Sequence, residues 1–367
     1  MAHLVAIDLP GGDRFVDVLK RVWDSGDAAF PVDQRLPAIA RRAILEVIAP
    51  DRLVDEHGVH ALDGRGVEAG DALVVATSGT TGAPRGVVLT HKAINTSAMA
   101  TSARLQATRD DTWLACLPLS HVGGLAVVTR AIVTDMSVVV HDGFDAEAVT
   151  RAAREGATLV SLVPTALRRI DPNLFRCIVL GGSRPPEHPP DNVVTTYGMT
   201  ETGSGVVYDG RPLDGVEVRV DAQGEVCIRC PMLLRCYRDG ENPLVDGWFA
   251  TGDLGEIGDD GLLIVHGRRA DLIITGGENV WPAAVEAVLI DHPEVAQVAV
   301  AGVPDDEWGQ RVVAWIVPSA SNSPTLESIR SMVGESQPMY MAPKEIRLVD
   351  ALPTTSSGKV RRHELPT

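Results

Sequence analysis

The sequence predicts an α/β protein in two parts: a large N-terminal α/β domain that ends in a β-rich subdomain, and a small C-terminal α+β domain. Three observations carry this. From about residue 87 to 215, short apolar runs alternate with amphipathic stretches, the pattern of strands layered against helices. From about 215 to 267 the runs shorten and Gly/Asp turns multiply. Beyond Gly267-Arg268-Arg269-Ala270-Asp271 a compact segment has its own strand, turn and helix signals.

Taken in order, residues 14–25 place Phe15, Val18, Leu19 and Val22 on one helical face, and a second helix is expected over 38–48. An apolar strand at 72–76 leads into a Gly/Thr loop, a second strand follows at 87–89, and a helix covers 90–104. Strands are then expected at 113–117, 137–140, 159–162, 177–180 and 193–196, with helices at 123–133, 145–155 and 165–170. The β-rich part supplies strands at 216–220, 224–228 and 262–265. In the C-terminal part a strand at 272–275 meets the turn Gly276-Gly277-Glu278-Asn279. Pro282 opens a helix there, whose core face is Val285, Val288 and Leu289. Strands at 295–301, 312–317 and 346–349 and a helix at 325–334 complete it, before a polar loop at 353–358 and Lys359-Val360-Arg361-Arg362. The expected domains are 1–267 and 268–367.

The 367 residues are 45% hydrophobic and 22% charged, ordinary for a soluble protein and enough for two cores. A net charge of −16 argues against nucleic acid or an anionic membrane as partner. Any nucleotide site must be locally positive against that field. Lysine is scarce, occurring only as Lys20, Lys92, Lys344 and Lys359. The N-terminus shows no secretory leader, and the longest apolar stretch, 122–140, is interrupted by Arg130 and Asp135, so no membrane span is expected. Cytoplasm is the expected location. The odd count of five cysteines does not suggest a disulfide framework. Cys227 and Cys230 sit on a strand-like stretch where positions i and i+3 face opposite ways, with no second pair to complete a zinc site.

The most informative run is residues 77–86, Thr77-Ser78-Gly79-Thr80-Thr81-Gly82-Ala83-Pro84-Arg85-Gly86. Glycines let backbone N–H groups approach an anion and hydroxyls add donors, so a polyphosphate is the natural guest. It is not the common P-loop, which ends in Gly-Lys-Ser/Thr and opens a helix.

Six strings resemble, in order, those of the adenylate-forming superfamily of acyl-CoA synthetases, peptide-synthetase adenylation domains and luciferases: TSGTTGAPRG (77–86), LPLSHVGG (117–124), YGMTET (197–202), TGD (251–253), GRRADLIITGGENVWP (267–282) and PTTSSGKVRR (353–362). Within that superfamily the chain most resembles the o-succinylbenzoate–CoA ligases of menaquinone biosynthesis. The short N-terminal part, the Gly-Arg-Arg-small-Asp string and Thr200-Glu201-Thr202-Gly203-Ser204 carry that likeness. Only 76 residues precede the loop, so part of the family's usual N-terminal subdomain is expected to be missing. That could expose apolar surface for a second copy, which makes a homodimer a candidate state.

The resemblance implies a two-step ligase. A carboxylate attacks the α-phosphate of ATP, pyrophosphate leaves, and coenzyme A then displaces AMP from the acyl-adenylate. It implies that Thr77, Ser78, Gly79, Thr80, Thr81, Gly82 and Arg85 hold the phosphates, Arg85 standing where the family usually has lysine. It implies that Gly181, Gly182 and Ser183 pass the adenine, that Tyr197 and Gly198 pack on it, and that Thr200 contacts the α-phosphate. Glu201 would help hold Mg²⁺, Asp253 would accept the ribose hydroxyls with Arg268 nearby, and Lys359 would reach the carboxylate and α-phosphate. Gly276, Gly277 and Glu278 would line the coenzyme A path once the small, mobile domain rotates about a hinge near 268–271. His121 would gate the thiol or touch the acid. For the second carboxylate of o-succinylbenzoate, Ser204 is the first lining candidate, with His121, Arg184 and Arg168 behind it. A ligase for another aryl or acyl acid, a module loading a carrier protein, and a catalytically dead nucleotide-binding homologue stay open. Proline at Ala270, in the hinge string, is expected to impair one half-reaction and spare the other. Equal loss of both in a folded variant, measured as separate partial reactions, would count against the hinge.

Overall fold

The computed structural model describes residues 2–77, 84–186, 188–319, 323–354 and 360–366. By their contacts the residues fall into two compact units, 1–218 with 228–250, and 219–227 with 251–367. The architecture is mixed α/β, with the larger unit N-terminal.

The first unit is built on two seven-stranded sheets. One has the order Cys236–Tyr237, Arg85–Thr90, Asp71–Thr77, Ala28–Pro31, Leu4–Ile7, Arg52–Val54, Val59–Ala61. The other runs Arg211–Pro212, Ser204–Tyr208, Val193–Met199, Cys177–Leu180, Leu159–Leu162, Thr112–Ala115, Ser137–Val140, the last five strands being parallel. Leu159–Leu162 and Cys177–Leu180 are buried at every position, as parallel strands covered on both faces must be. This agrees with the alternation expected between 87 and 215, to within a few residues at each end.

Two pairs of strands in the first sheet were not expected, nor were its edge strand Cys236–Tyr237 and the antiparallel pair Ser204–Tyr208 and Arg211–Pro212 in the second. Leu4–Ile7 and Ala28–Pro31 pair in parallel, Leu4 opposite Ala28. Both are fully buried four-residue runs with no alternation, and Pro31 reads as a stop. Arg52–Val54 and Val59–Ala61 form the short edge of the same sheet. The helix Asp13–Asp24 buries Phe15, Val18, Leu19 and Val22 as expected. The helix Ala38–Ile48 buries only Ile48 and leaves Ile39 87% exposed. Thr90 caps the helix His91–Arg104, its hydroxyl accepting from the Ala93 amide at 3.1 Å.

One edge of the first sheet positions the site. Cys236–Tyr237 pairs antiparallel with Arg85–Thr90, Tyr237 opposite Val87. Its flanks are pinned by arginines. Arg235 forks onto the buried Asp71 carboxylate with both bonds at 2.8 Å, and Arg238 donates to the carbonyls of Ile48, Ala49 and Gly66. Bidentate pairs of this kind fix direction as well as distance.

In the second unit a five-stranded sheet has the order Glu278–Val280, Ile273–Thr275, Gly309–Pro318, Val295–Asp305, with Glu345–Leu348 parallel to Gly309–Pro318. The helices Pro282–Leu289 and Leu326–Ser336 contribute Val285, Leu289, Ile329 and Val333 to the core over it. Gly276 and Gly277, at φ +59° and +85°, make the two-residue turn of a hairpin, where both central residues need the left-handed region. The strand Phe249–Ile257 pairs antiparallel with Leu263–Arg268 and escaped the sequence reading. Gly252 and Gly255 break its apolar pattern, yet a Cβ at Gly255 would strike the Ile264 carbonyl, so the glycine is what lets the strands meet.

Candidate active site

In the first unit the segment expected to follow a strand is itself strand. Val193–Met199 runs through Tyr197 and Gly198, with a register shift between them. A side chain at Gly198 would collide with the Ser204 carbonyl. The chain then makes a single tight turn, Thr200–Thr202. Thr202 locks it: its hydroxyl accepts from the Met199 amide at 2.9 Å and donates to the Ser204 carbonyl at 2.7 Å. That turn aims Glu201. Glu201 Oε1 accepts from the Tyr237 hydroxyl at 3.1 Å, and burial followed by the Glu201 charge pushes the Tyr237 phenol well up, so it stays a donor.

Arg85 stands over the same tyrosine. Its guanidinium lies 3.7 Å from the ring centroid and bonds Asp239 at 2.9 Å and Glu241 at 2.8 Å. The sequence could not show these carboxylate partners. Thr77 ends its strand directly opposite Arg85. Ser78, Gly79, Thr80, Thr81, Gly82 and Lys359 lie outside the described residues. Gly181, Gly182 and Ser183 follow the strand Cys177–Leu180, Gly182 at φ +89°.

His121 precedes the helix Val122–Thr134 and sits 3.7 Å from the Asp33 carboxylate, which is itself forked by Arg35. Ser204 opens the strand Ser204–Tyr208, and its hydroxyl meets Arg130 Nη2 at 3.4 Å. Arg130 is the residue that sequence reasoning passed over. It is 2% exposed, and its Nε and Nη1 have no hydrogen-bond partner among the described residues. Its guanidinium rests 4.8 Å from the Trp113 ring centroid, and burial pulls its pKa down. Arg168 and Arg184, the other cations considered for this role, are exposed. The signal was an arginine interrupting an otherwise apolar helix.

In the second unit the register sets Asp253 opposite Arg268, with Arg268 Nε 3.0 Å from the carboxylate and Nη1 donating to the Thr251 carbonyl at 2.7 Å. Asp253 is 6% exposed. If it holds the ribose, Asp253→Ala is expected to weaken ATP binding about 10- to 100-fold, the worth of bonds to a charged acceptor. Unfolding temperature should change little, since Arg268 keeps 45% exposure and can rehydrate. Titration calorimetry and a melt check both. Gly276, Gly277 and Glu278 form the hairpin already described, with Glu278 exposed.

No group of three or more potential metal-ligating side chains occurs among the described residues. Glu201 alone, with one oxygen engaged by Tyr237, suits an ion like Mg²⁺ that takes one or two carboxylates and fills its octahedron with phosphate oxygens and water. Cys227 and Cys230 both have thiols pushed up, burial being the first cause, in keeping with an inert pair.

Residues 55–238 match the family model described as AMP-binding enzyme, and residues 284–359 that of the AMP-binding enzyme C-terminal domain. The chain belongs to the AMP-binding enzyme family. A 2-succinylbenzoate–CoA ligase of Bacillus licheniformis is 37% identical to this family member over 333 residues, covering 80% of this chain and 69% of that protein. The ligase of the same name from Bacillus anthracis is 36% identical with the same coverage. Among solved structures, the o-succinylbenzoate CoA synthetase of Bacillus subtilis in complex with the acyl-adenylate intermediate superposes with a TM-score of 0.90 at 28% identity, covering 100% of this chain and 88% of that one. The same enzyme with ATP and magnesium ion gives 0.87 at 29%.

Proposed function

We propose that this AMP-binding enzyme is an ATP-dependent 2-succinylbenzoate–CoA ligase that acts in menaquinone biosynthesis. The observation that carries the choice of acid is Arg130, a buried cation without a carboxylate partner among the described residues, beside the Ser204 hydroxyl. Burying an unpaired charge is costly, and an acid with a second carboxylate offsets that cost on binding. Relatives that carry the name, and a structural neighbour solved with the acyl-adenylate, support the same acid.

In this reading one carboxylate oxygen of the acid attacks the α-phosphorus of ATP, and the bond to pyrophosphate breaks. The coenzyme A sulfur then attacks the acyl carbon and AMP leaves, taking the bonding pair. Positioning and charge stabilisation dominate such transfers. Glu201 would hold Mg²⁺, which neutralises phosphate charge when bound. Thr200, Tyr197 and the 77–86 segment would orient the nucleotide, Asp253 and Arg268 the ribose, Lys359 the reacting oxygens, and Gly276–Glu278 and His121 the thiol. The small domain would turn about 268–271 between the steps. Cytoplasmic action, where ATP and coenzyme A are drawn on together, and a homodimer belong to the same proposal; the mass in solution tests the latter.

The test is pyrophosphate release over a panel of acids, with and without coenzyme A. 2-Succinylbenzoate is expected to lead monocarboxylic benzoates and fatty acids clearly, with thioester formed only when coenzyme A is present. A monocarboxylic acid turned over better than 2-succinylbenzoate would overturn the assignment of the acid, and absence of release with every acid would overturn the ligase.

A further inference from the structure

Tyr237 has no role in the scheme above, yet it joins two of its parts. Its hydroxyl donates to Glu201 Oε1 at 3.1 Å, and its ring carries the Arg85 guanidinium at 3.7 Å. The tyrosine is 9% exposed. It is held from below by the sheet register with Val87 and on either side by the Arg235 and Arg238 forks. Arg85 is held in turn by Asp239 and Glu241. The backbone agrees: the Leu234 amide donates to the Glu201 carbonyl at 2.7 Å. Backbone pairing and the two flanking arginines thus fix the strand that carries Tyr237, Arg85 covers its ring, and its hydroxyl touches Glu201.

We propose that Tyr237 is a positioning residue: braced under Arg85, it fixes one oxygen of Glu201 and so turns the other toward the magnesium ion that accompanies ATP. This rests on the reading of Glu201 as the magnesium carboxylate. A carboxylate on a short turn rotates freely about its last bonds, and one hydrogen bond to one oxygen removes that freedom before the ion arrives. A cation over the ring face draws density from the phenol and strengthens its O–H as a donor. Arg85 in this arrangement acts through the tyrosine. A lysine at position 85 would bring a point charge without the planar fork that two carboxylates and a ring face engage together.

The experiment measures ATP affinity by calorimetry on the whole chain, with Mg²⁺ and with chelator, for the wild type, Tyr237→Phe, Glu201→Gln and the double variant. The readout is the ratio of the two affinities. Tyr237→Phe is expected to lower the ratio about 10- to 100-fold, the range for losing one bond to a group that holds a metal, while affinity in chelator stays unchanged. In the Glu201→Gln background the second substitution should add nothing, because the two act as one unit. Rate measurements should show the same shift as a higher Mg²⁺ requirement, with the KM for the acid unaltered. Equal weakening with and without Mg²⁺, or additive effects in the double variant, would show a merely structural tyrosine and overturn the proposal. If Glu201→Gln itself leaves the ratio unchanged, the assignment of Glu201 falls first, and the relay with it.

Discussion

Lys359→Ala is expected to stop acid-dependent pyrophosphate release almost completely, by about 100- to 1,000-fold, the range for removing one group that stabilises developing charge. The same variant should still convert supplied acyl-adenylate and coenzyme A to thioester at close to the wild-type rate. The split is the point. In the proposed scheme the small domain turns about 268–271 between the steps, so an ammonium brought to the carboxylate and α-phosphate oxygens for the first would be carried away before the thiol attacks and be dispensable in the second. Lys359 is one of four lysines, with Lys20, Lys92 and Lys344, so no lysine beside it in the sequence can stand in for it. Lys359→Arg should recover little, because a planar fork cannot take the place of a compact point charge at a crowded oxyanion. Both partial reactions measured on one preparation decide it: unchanged adenylation removes the lysine from the mechanism, and equal loss of both steps makes it structural.

Most of the layered sheet was legible because its strands announce themselves locally. Leu159–Leu162 and Cys177–Leu180 are apolar runs bounded by turn residues, a pattern with few other readings. Leu4–Ile7 and Ala28–Pro31 are equally buried but short, and the second is half alanine and ends in proline; only their parallel pairing makes them strands. Phe249–Ile257 was hidden by two glycines that serve its close approach to Leu263–Arg268. At the site, the strings fixed which residues to examine and left their partners unseen. Arg85 meets Asp239 and Glu241 across more than 150 residues of sequence, and nothing local to either segment points to the other. Tyr237 likewise lies outside every string that drew attention. Arg130 was visible, as the charge that ruled out a membrane span, but which way it faced depended on how the helix Val122–Thr134 sits against Trp113 and Ser204.

Arg130→Leu is expected to raise the KM for 2-succinylbenzoate by roughly 100-fold, about 3 kcal/mol for a buried charged contact, and to leave a monocarboxylic benzoate unaffected or improved. The stability of the ligand-free enzyme should move the other way. Arg130 has two nitrogens without partners among the described residues, and its compensation is the Trp113 ring face and one long bond to Ser204. A cation over an aromatic ring is worth about 0.5–2 kcal/mol, less than the several kcal/mol that desolvating a charge costs. Leucine at that place keeps the apolar stem and removes the charge, so the melting temperature in the absence of substrate should stay level or rise. An arginine kept only for packing predicts the opposite pairing, a lower melting temperature with acid selectivity intact. Arg130→Lys separates charge from shape: it should retain preference for the dicarboxylate while losing part of the affinity, since an ammonium cannot present two parallel donors. Melting curves with and without 2-succinylbenzoate give both the stability of the free enzyme and its affinity for the acid from one titration, because a ligand that binds only the folded state stabilises it with the logarithm of its concentration over Kd. A wild-type-sized midpoint shift in the leucine variant would take the second carboxylate away from Arg130 and leave the buried cation without a purpose in the reaction.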